Sequence, residues 1–427
     1  MASFASVTRC YADSIIDAPP ADFRVSTQIY RDPIVFDDEM RNIFERTWVY
    51  VAHVSELPSP GDYKVSAVGR LPVIVSRDKD GAIHVLLNVC RHRGAVLCRT
   101  ERGNTNKFVC PYHAWIYGSD GKLLSTSSPE GGFPEGFAES VGGLTRLPRV
   151  ATYRGLIFTS VSAAGETLED YLGAVRYYVD LWFDQSPSGN VRLLPPRRCH
   201  YQANWKLQLE NTTDGWHPRF VHESAFRTMA DFEVRPPNND WRGYTRAFRR
   251  GHNILDLPLR ANFAADILEE YKSLLVQRYG AAHAELAHNT RHITLFPNVH
   301  LLEFKIRVVQ PVAVDKTIVY EFPIEFEDAP ERINSTLRRR INNEGSLAAG
   351  FVNSDDVDIF TRVQSGLHAA HLTNWLVLAR DMGEEQSQPS GELIGEDFSE
   401  LPQRAIYREW RRLMTADVEH QRSPAPP

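Results

Sequence analysis

The pattern of apolar and polar residues changes twice along the chain. Near the start, apolar residues recur at every fourth position, which predicts an amphipathic helix capped by Asp37 or Asp38. The apolar positions of this helix are Phe36, Met40, Phe44 and Trp48. From about residue 50 to about residue 162, short β-branched segments alternate with Gly- and Asp-rich turns, so we expect strands there.

Helical periodicity returns in LEDYLGAVRYYVDLWF, and strand-like stretches follow in HLLEFKIRVVQPVAV and TIVYEFPIEF. These changes predict an α+β protein. We expect a small all-β domain at 46–160, inserted in a larger α+β domain. The larger domain is expected to combine an N-terminal helical part, 1–45, with the segment 161–427.

Composition and charge argue against a nucleic-acid-binding, membrane-spanning or disulfide-stabilised protein. The chain has 427 residues, with 48 Lys and Arg against 54 Asp and Glu and a formal net charge of −6, which does not favour nucleic-acid binding. No apolar run approaches the roughly 18 residues of a membrane span, and the N-terminus makes a poor signal peptide. Five cysteines, an odd and sparse number, argue against a disulfide scaffold and for a reducing compartment, so we expect a cytoplasmic protein without a membrane partner.

Four residues of metal-ligand type form two short pairs in the strand-rich region. Cys90 and His92 make a C-x-H pair, and Cys110 and His113 make a C-x-x-H pair, each beside a turn. Two thiolates and two neutral imidazoles suit a tetrahedral zinc ion, or a [2Fe–2S] cluster with both cysteines on one iron. The C-x-H spacing is unusual for zinc. The remaining alternative, buried cysteines beside unrelated histidines, does not explain two matched pairs.

A second set of ligand-type residues lies in ENTTDGWHPRFVH, residues 210–222. Asp214 and His217 are three residues apart, which predicts neighbours on one helical face. Pro218 is expected to end or kink that helix, and the break allows His217 and His222 to reach one metal ion. Two histidines leave a divalent iron in need of an oxygen ligand, although taken alone they would equally suit core or surface positions.

The segment NSDDVDIFTRVQSGL, residues 353–367, offers that oxygen ligand. Read as a helix, it has an apolar stripe, and Asp356 falls near the middle of the stripe. The stripe consists of Val357, Phe360, Val363 and Leu367. A carboxylate on a buried face is costly unless it meets a cation, so Asp356 is the predicted ligand. Asp355 and Asp358 fall to either side and are expected to be solvated or helix-capping.

These motifs resemble those of the large subunits of Rieske non-haem iron ring-hydroxylating oxygenases. CRHRG and CPYHAWIYGSDGKL are similar to the Rieske signature at the ligands, at Arg93-Gly94 and at Trp115. The segment 210–222 and the later D-D segment are similar to the mononuclear-iron motif. The two residues between Asn211 and Asp214 are more like the benzoate, anthranilate, salicylate and terephthalate branch than the naphthalene branch. The resemblance covers nearly the whole chain and implies a Rieske domain at 46–160 in a helix-grip-like catalytic domain.

The resemblance also implies cofactors and roles. The residues implied as ligands of a Rieske [2Fe–2S] cluster are Cys90, His92, Cys110 and His113. Those implied as ligands of a mononuclear Fe(II) are His217, His222 and Asp356. Asp214 is implied as a hydrogen-bonded link between His217 and the partner subunit's His113, and Asn211 as a residue close to the iron. Such a link requires a head-to-tail ring, typically a trimer of this chain.

The implied activity is that of a terminal oxygenase in aromatic catabolism. It would use O₂, and electrons from NAD(P)H through a separate reductase or ferredoxin, to hydroxylate or cis-dihydroxylate a small aromatic acid. One alternative is a Rieske monooxygenase that removes a methyl group from N or O. Another is a non-catalytic electron-transfer or zinc module. Assembly with a small β subunit, as α3β3, and assembly of this chain alone both remain open.

The substrate is less constrained by the sequence than the metals are. FKIRVV alternates, so Lys305 and Arg307 share one face of a strand. By resemblance to terephthalate-type enzymes, Arg307 matches a position that grips a substrate carboxylate, and a structural salt bridge is the alternative. Cysteines without an expected role are Cys10, Cys98 and Cys199. Histidines expected at the surface or satisfied in the core are His200, His252, His288, His292, His300, His368 and His371.

Overall fold

Antiparallel strands fill the region that the sequence predicts to be strand-rich. The computed structural model describes residues 11–126, 132–134, 136–225, 227, 243–257, 265–343, 350 and 352–415. The first strands are β1 (Ile15–Ala18), β2 (Asp22–Ser26), β3 (Val49–His53), β4 (Asp62–Val68), β5 (Leu71–Arg77), β6 (Ile83–Leu87), β7 (Arg102–Asn104), β8 (Lys107–Val109), β9 (Ile116–Gly118), β10 (Leu123–Ser125), β11 (Arg149–Tyr153) and β12 (Leu156–Ser160). The helices among them are α1 (Pro33–Glu39) and α2 (Phe137–Val141).

Strands β3 to β12 form three small sheets in the all-β domain, with the orders β6-β5-β4-β7, β10-β9-β8 and β11-β12-β3, whereas β1 and β2 lie outside that domain. The first two sheets enclose an apolar core that contains Cys90 and Cys110. The third sheet lies between two larger cores, because its residues alternate in direction. Tyr50 and Phe158 pack into one of these cores, and Val51 into the other. The third sheet therefore joins the all-β domain to the rest of the molecule.

The rest of the chain is built around one large antiparallel sheet. Its strands are β13 (Val191–Leu193), β14 (Arg197–Tyr201), β15 (Tyr244–Ala247), β16 (Asn253–Leu257), β17 (Thr290–Leu295), β18 (Val299–Leu302), β19 (Lys305–Ala313), β20 (Lys316–Phe326), β22 (Gln386–Ser387) and β23 (Leu393–Glu396). Strand β21 (Trp375–Val377) is not part of this sheet and pairs with β2. The order in the described residues is β13-β20-β19-β18-β17-β16-β15-β23-β22, and β14 also pairs with β20.

Helices cover both faces of this sheet. They are α3 (Leu168–Leu172), α4 (Arg176–Phe183), α5 (Lys206–Thr212), α6 (Pro218–Val221), α7 (Ala265–Tyr279), α8 (Ala281–Ala287), α9 (Glu331–Asn343), α10 (Asn353–Gly366) and α11 (Leu401–Thr415). Ile306 of β19 packs in the core that contains α4, α7 and α9. Val309 of the same strand packs in the core that contains α5, α10 and α11. None of the described helices has the length and apolar composition that crossing a bilayer requires.

The first helix differs from its prediction at its start. Its cap is Asp32, whose Oδ1 accepts a hydrogen bond of 2.8 Å from the N–H of Ile34, and Pro33 occupies the first turn. The prediction of a cap at Asp37 or Asp38 is therefore wrong. The four apolar positions are all buried, as predicted, but the helix is shorter than predicted. Met40 and Phe44 lie in a π-helical turn, Met40–Phe44, and Trp48 lies beyond the helical residues. The same N-terminal segment also contains β1 and β2.

A fully buried ion pair connects the N-terminal segment, α5 and α11. Lys206 Nζ donates to Glu39 Oε1 at 2.7 Å and to the carbonyl of Ile29 at 2.8 Å. The indole N–H groups of Trp205 and Trp410 donate to the two oxygens of Glu39, at 2.8 and 2.7 Å. Because all the charged atoms have partners, this pair escapes the cost of an uncompensated buried charge. Burial lowers the pKa of Lys206, and Glu39 opposes that effect.

One turn further along α5, Glu210 forms a second buried polar group. Its Oε1 accepts hydrogen bonds from the hydroxyls of Tyr30, at 2.9 Å, and Tyr407. Gln403 donates to the Glu210 carbonyl at 2.8 Å. Burial raises the pKa of Glu210 to about 7, although both phenols and Lys206 act against it. The side chain thus changes charge near neutral pH.

We expect Glu210→Gln to gain thermal stability relative to the wild type as the pH rises. The pKa of Glu210 is about 7 in the fold against 4.5 for the free side chain. Its stabilising contribution is therefore complete below pH 4.5 and is lost as the pH rises through 7, a change of about 3 kcal/mol. Thermal unfolding at several pH values between 5 and 8 measures the difference in Tm. Exposed Glu396→Gln is the control, and a Tm difference for Glu210→Gln that does not vary with pH would contradict the expectation.

Candidate metal centres

Two neighbouring loops carry the four residues predicted to hold a cluster. Cys90 and Cys110 each donate their N–H to the carbonyl five residues later, at 2.8 Å. In both loops the residue four positions after the cysteine donates back to the cysteine carbonyl at 3.0 Å. These residues, Gly94 and Ala114, both have a positive φ, of 74° and 54°. The loops therefore share one turn conformation, although the histidine stands at a different position in each.

The side chains of the two loops come together at one place. Cys90 and Cys110 are buried in the same apolar core as Trp115. The rings of His92 and His113 have centroids 4.6 Å apart, and the indole of Trp115 stacks on His92 at 4.9 Å. The structure thus brings together all four residues that were predicted from two separated motifs.

Two features of their surroundings show that these residues suit a metal cluster. His92 Nδ1 is buried and has no hydrogen-bond partner among the described residues, a costly state unless a metal ion binds the nitrogen. The hydroxyl of Tyr117 accepts from the N–H of Arg91 at 3.1 Å and lies 3.3 Å from Cys90 Sγ. Its own proton can then be donated to the sulfur, which favours a thiolate. Burial and the contact with Cys90 raise the pKa of Tyr117.

The other cysteines show no sign of metal chemistry. Cys98 and Cys199 are free thiols. Burial raises the pKa of the Cys98 thiol to about 12, and it also raises that of Cys199, so both stay protonated at neutral pH. Cys10 lies outside the described residues.

The second centre is built at a break between two short helices. Helix α5 ends at Thr212, and α6 begins with Pro218 in its first turn. The prediction that Asp214 and His217 share a helical face is therefore wrong, because both lie in the connecting turn or at its end. Asp214 Oδ1 accepts from the N–H groups of Trp216, at 2.7 Å, and His217, at 3.2 Å. These local hydrogen bonds stabilise the turn in place of helical ones.

His217, His222 and Asp356 converge on one point. One potential ligand atom of each lies within 4.8 Å of the others. Asp356 Oδ1 is 3.5 Å from His217 Nε2 and 3.2 Å from His222 Nε2. The side-chain amide of Asn211 lies 3.1 Å from both His217 Nε2 and Asp356 Oδ1. Two imidazoles and one carboxylate are the donor set that leaves positions open on non-haem Fe(II).

The charge of this site depends on its carboxylates. Burial raises the pKa of Asp356, but His217 and His222 outweigh burial and hold it well below its usual range. Burial lowers the pKa of His217, and here Asp214 and Asp356 prevail and raise it to about 9. A metal ion at this site competes with a proton for His217, so its affinity should rise with pH.

Comparisons with known proteins agree with both centres. Residues 47–141 match the Rieske [2Fe–2S] domain, and residues 189–416 match the catalytic domain of ring-hydroxylating alpha subunits. The large subunit of anthranilate 1,2-dioxygenase from Acinetobacter baylyi is 32 % identical over 397 residues, covering 87 % of this chain and 83 % of that one. The large subunit of 2-halobenzoate 1,2-dioxygenase from Burkholderia cepacia is 34 % identical over 385 residues, covering 85 % and 81 %.

A solved structure shares the fold. Naphthalene 1,2-dioxygenase from a Rhodococcus species, bound to indole, superposes with a TM-score of 0.77 at 31 % identity, covering 92 % of this chain and 95 % of that one. The chain belongs to the ring-hydroxylating oxygenase alpha subunits. This alpha subunit is an α+β protein with a Rieske domain and a catalytic domain, as predicted. Its family uses a Rieske [2Fe–2S] cluster and a mononuclear iron, with electrons from a separate reductase.

A second carboxylate supports the histidine pair in this alpha subunit. Asp355 Oδ2 lies 3.4 Å from His222 Nδ1, and its side chain is half-buried. Asp355 lies in the first turn of α10, as expected for a carboxylate at a helix start, and the contact with His222 adds to that role. Helical periodicity places it beside the apolar stripe, and only the packing of α10 beside His222 reveals the contact. Asp358 is exposed and pairs with Arg362 on the same helix, as expected.

Arg307 lies in a buried polar group beside the iron site. Its Nε and Nη2 donate to Glu321 Oε1 at 3.0 and 2.7 Å, and Nη2 also donates to Asn353 Oδ1 at 3.2 Å. Lys305 Nζ lies 2.9 Å from the same Glu321 oxygen. Asn353 is three residues before Asp356 on α10, so this group adjoins the iron site. The salt bridge that was the alternative for Arg307 is thus present.

Of the seven histidines expected at the surface or satisfied in the core, six lie at the surface or have hydrogen-bond partners, and His288 is buried with its ring centroid 5.5 Å from that of Tyr271. The ring of His252 bonds the carbonyl of Tyr171 at 3.0 Å, and His292 bonds that of Thr212 at 3.1 Å. His300 Nδ1 lies 3.0 Å from Thr294 Oγ1. Exposed examples are His200, His368 and His371. In the described residues, the only group of three or more His, Cys, Asp or Glu side chains with converging ligand atoms is His217, His222 and Asp356.

We expect Asp355→Ala to weaken iron binding about 10- to 100-fold, because His222 loses the carboxylate that orients its ring. Asp358→Ala removes a neighbouring exposed carboxylate of the same helix and is the matched control. Iron retained after dialysis against a graded series of chelator concentrations measures the affinity. If both variants hold iron equally well, Asp355 has no part in orienting His222.

Proposed function

We propose that this chain is the terminal oxygenase component that hydroxylates or cis-dihydroxylates a small aromatic carboxylate in aromatic catabolism. The observation that carries the substrate class is the pair of buried cations beside the iron site. Lys305 and Arg307 are 9 % and 2 % exposed. Both contact Glu321, and Glu303 also acts on Lys305. Arg307 donates to Asn353, three residues before Asp356 on α10, so a guanidinium suited to a substrate carboxylate lies beside the iron ligands.

The relatives support this substrate class. The similar curated proteins act, by their names, on anthranilate, toluate and 2-halobenzoate, which are all aromatic acids. Arg307 is then a cation of the substrate site as well as the partner of Glu321. Its planar guanidinium suits a carboxylate, and the hydrogen bonds to Glu321 and Asn353 hold it in place for that contact.

The geometry supports a set of proposed metal ligands. Cys90 and Cys110 would hold one iron of the cluster, and His92 and His113 the other. Those proposed for the mononuclear Fe(II) are His217, His222 and Asp356. When bound, the mononuclear iron supplies dioxygen activation, and the cluster supplies single electrons.

Two residues of this chain prepare the second centre for that chemistry. Asp214 accepts from the main chain around His217 and lies 3.5 Å from His217 Nδ1, so it orients the imidazole and fixes its tautomer. The Asn211 amide donates to Asp356 Oδ1 and holds the carboxylate toward the histidines. We assign Asn211 a place close to the iron without making it a ligand.

We propose a head-to-tail ring of three copies, in which Asp214 meets the partner subunit's His113. The Asp214 side chain is 32 % exposed and that of His217 is 18 % exposed, so this face of the centre is open to a second copy. We propose that the electrons come from NAD(P)H through the separate reductase or ferredoxin, and dependence on this reductant supports a cytoplasmic location. Assembly as α3β3 with a small subunit is compatible with this ring.

The dioxygenase relatives favour ring hydroxylation over N- or O-demethylation. Family membership and the converging triad also favour catalysis over a non-catalytic electron-transfer or zinc module. A product screen tests the proposal. The purified protein, with a reconstituted reductase, is supplied with aromatic acids, and cis-diols and formaldehyde are assayed. A colourless protein with zinc in place of iron and sulfide, or formaldehyde as the product, would overturn it.

We expect Asp214→Asn to retain both metal centres and to lose at least about tenfold in turnover, because the neutral amide replaces the carboxylate oxygen Oδ2 that lies 3.5 Å from His217 Nδ1 and carries no charge beside that ring. Iron and sulfide analysis and the cluster absorption spectrum report metal content. Product formation per iron reports turnover. Wild-type turnover in a metal-replete variant would contradict the role of Asp214 as a link.

We expect removal of either cation to raise the KM for an aromatic acid about tenfold, as the loss of a charged hydrogen bond predicts. The variants are Lys305→Gln and Arg307→Gln. The double variant Arg307→Gln/Glu321→Gln removes one cation and one anion, leaves the net charge of the group unchanged and serves as the control, so its KM should rise less. Each is compared on benzoate and on a neutral ring of similar size. Equal losses on both substrates would show that Arg307 acts only as a structural partner.

A further inference from the structure

One face of the large sheet is directed toward the helices around the iron site. Val309 of β19 packs in the core that contains α5, α10 and α11, and Arg307, two residues earlier, lies on the same face and bonds α10. On the neighbouring strand β18, His300 is paired directly with Arg307. Val299 and Leu301 on either side of it pack in the opposite core. His300 therefore shares the face of Arg307.

The next two strands of this face contact the turn that leads from α5 to the iron ligands. On β17, His292 Nδ1 bonds the carbonyl of Thr212 at 3.1 Å. Thr213 Oγ1 donates to Asn253 Oδ1, on β16, at 2.6 Å. Strand β18 lies between β17, which bonds the end of α5, and β19, which bonds α10. His300 thus lies between the two places where the sheet contacts the iron-binding elements.

His300 has one ring nitrogen without a partner, although its side chain is 0 % exposed. Nδ1 lies 3.0 Å from Thr294 Oγ1, whereas Nε2 is buried with no hydrogen-bond partner among the described residues. Burial and the charge of Arg307 lower the pKa of His300, so the ring is neutral. Both ring nitrogens of His252, which is equally buried, are bonded. Since a buried polar atom without a partner is unfavourable, Nε2 indicates a ligand that belongs beside it.

We propose that His300 Nε2 hydrogen-bonds a hydroxyl group that lies ortho to the carboxylate of the aromatic substrate. The inference rests on the proposed function, in which Arg307 binds that carboxylate. The hydrogen bonds of Arg307 to described residues use Nε and Nη2, which leaves Nη1 for the substrate. A hydroxyl group donates and accepts, so it suits either neutral tautomer of His300.

The ortho position follows from the pairing of the two strands. Directly opposed residues of antiparallel strands have Cβ atoms about 5 Å apart. The substrate groups that His300 and Arg307 bind must therefore be neighbours on the aromatic ring. A para substituent lies at the opposite end of the ring from the carboxylate and cannot meet His300 while the carboxylate meets Arg307. His300 is thus a specificity-determining residue.

The test measures binding of three aromatic acids to the holoenzyme by calorimetry without oxygen. The ligands are 2-hydroxybenzoate, 2-methylbenzoate, which has an apolar group of similar size, and 4-hydroxybenzoate, which has the hydroxyl group elsewhere. We expect the wild type to bind 2-hydroxybenzoate at least about tenfold more tightly than either of the others, as one buried hydrogen bond predicts. This comparison does not depend on any variant.

Two variants then assign the preference to Nε2. His300→Asn places an amide near the position of Nδ1 and does not reach that of Nε2, so the preference for 2-hydroxybenzoate should disappear. The amide of His300→Gln reaches further and should restore part of it. Arg307→Gln should weaken all three ligands together, because they share the carboxylate. Iron content, sulfide content and Tm show whether each variant is folded and loaded.

The outcomes separate this inference from the proposed function. Equal binding of 2-hydroxybenzoate and 2-methylbenzoate by the wild type overturns the role of His300 and leaves the substrate class standing. A preference that His300→Asn retains has the same meaning. Equal losses in the Asn and Gln variants also overturn it, because they indicate a change in packing. If none of the three acids binds the wild type, the substrate class fails and the inference fails with it.

Discussion

The geometry of the iron site depends on the buried ion pair between Lys206 and Glu39. Helix α5 has only seven residues and no side-chain cap at its start, so it cannot hold its own position. Lys206 at its first turn and Glu210 at its last turn attach it to the N-terminal segment and to α11. Asn211 follows Glu210 directly, and the turn to His217 begins one residue after the helix ends. A shift of α5 would therefore displace the ligand residue that follows it in the chain.

Those attachments explain why the N-terminal segment and the C-terminal helix flank the catalytic sheet although they are far apart in sequence. Trp410 donates to Glu39, and Tyr407 donates to Glu210. Both contacts satisfy carboxylates that would otherwise be buried at a cost of several kcal/mol. The Rieske domain is inserted between these segments and is held to them by the sheet β11-β12-β3. The cluster site and the iron site are therefore supported by separate cores, and both are attached to the N-terminal segment and the C-terminal helix.

Local chemistry accounts for what the sequence predicts correctly. The Cys and His pairs are recognisable because metal binding requires particular residue types at short spacing. Asp356 is recognisable because a carboxylate on an apolar helical stripe needs a positive partner, and the structure provides His217 and His222. Periodicity fails at Asp214, because its own side chain bonds the main chain and ends the helix early. It also does not reveal the contact of Asp355 with His222, which lies 133 residues away.

Local sequence patterns also fail to reveal ion pairs between residues that are distant in the chain. Lys206 and Glu39 are 167 residues apart, and nothing in either local pattern indicates that they pair in the core. Strand alternation does place Lys305 and Arg307 on one face, but it does not reveal that Glu321 from the next strand serves both. That carboxylate also accepts from Asn353, three residues before Asp356 on α10, so it ties the two cations of β19 to the helix that carries the iron ligand. The charges beside the iron site are therefore set by contacts between strands and a helix that are distant in sequence, and no local pattern can show them.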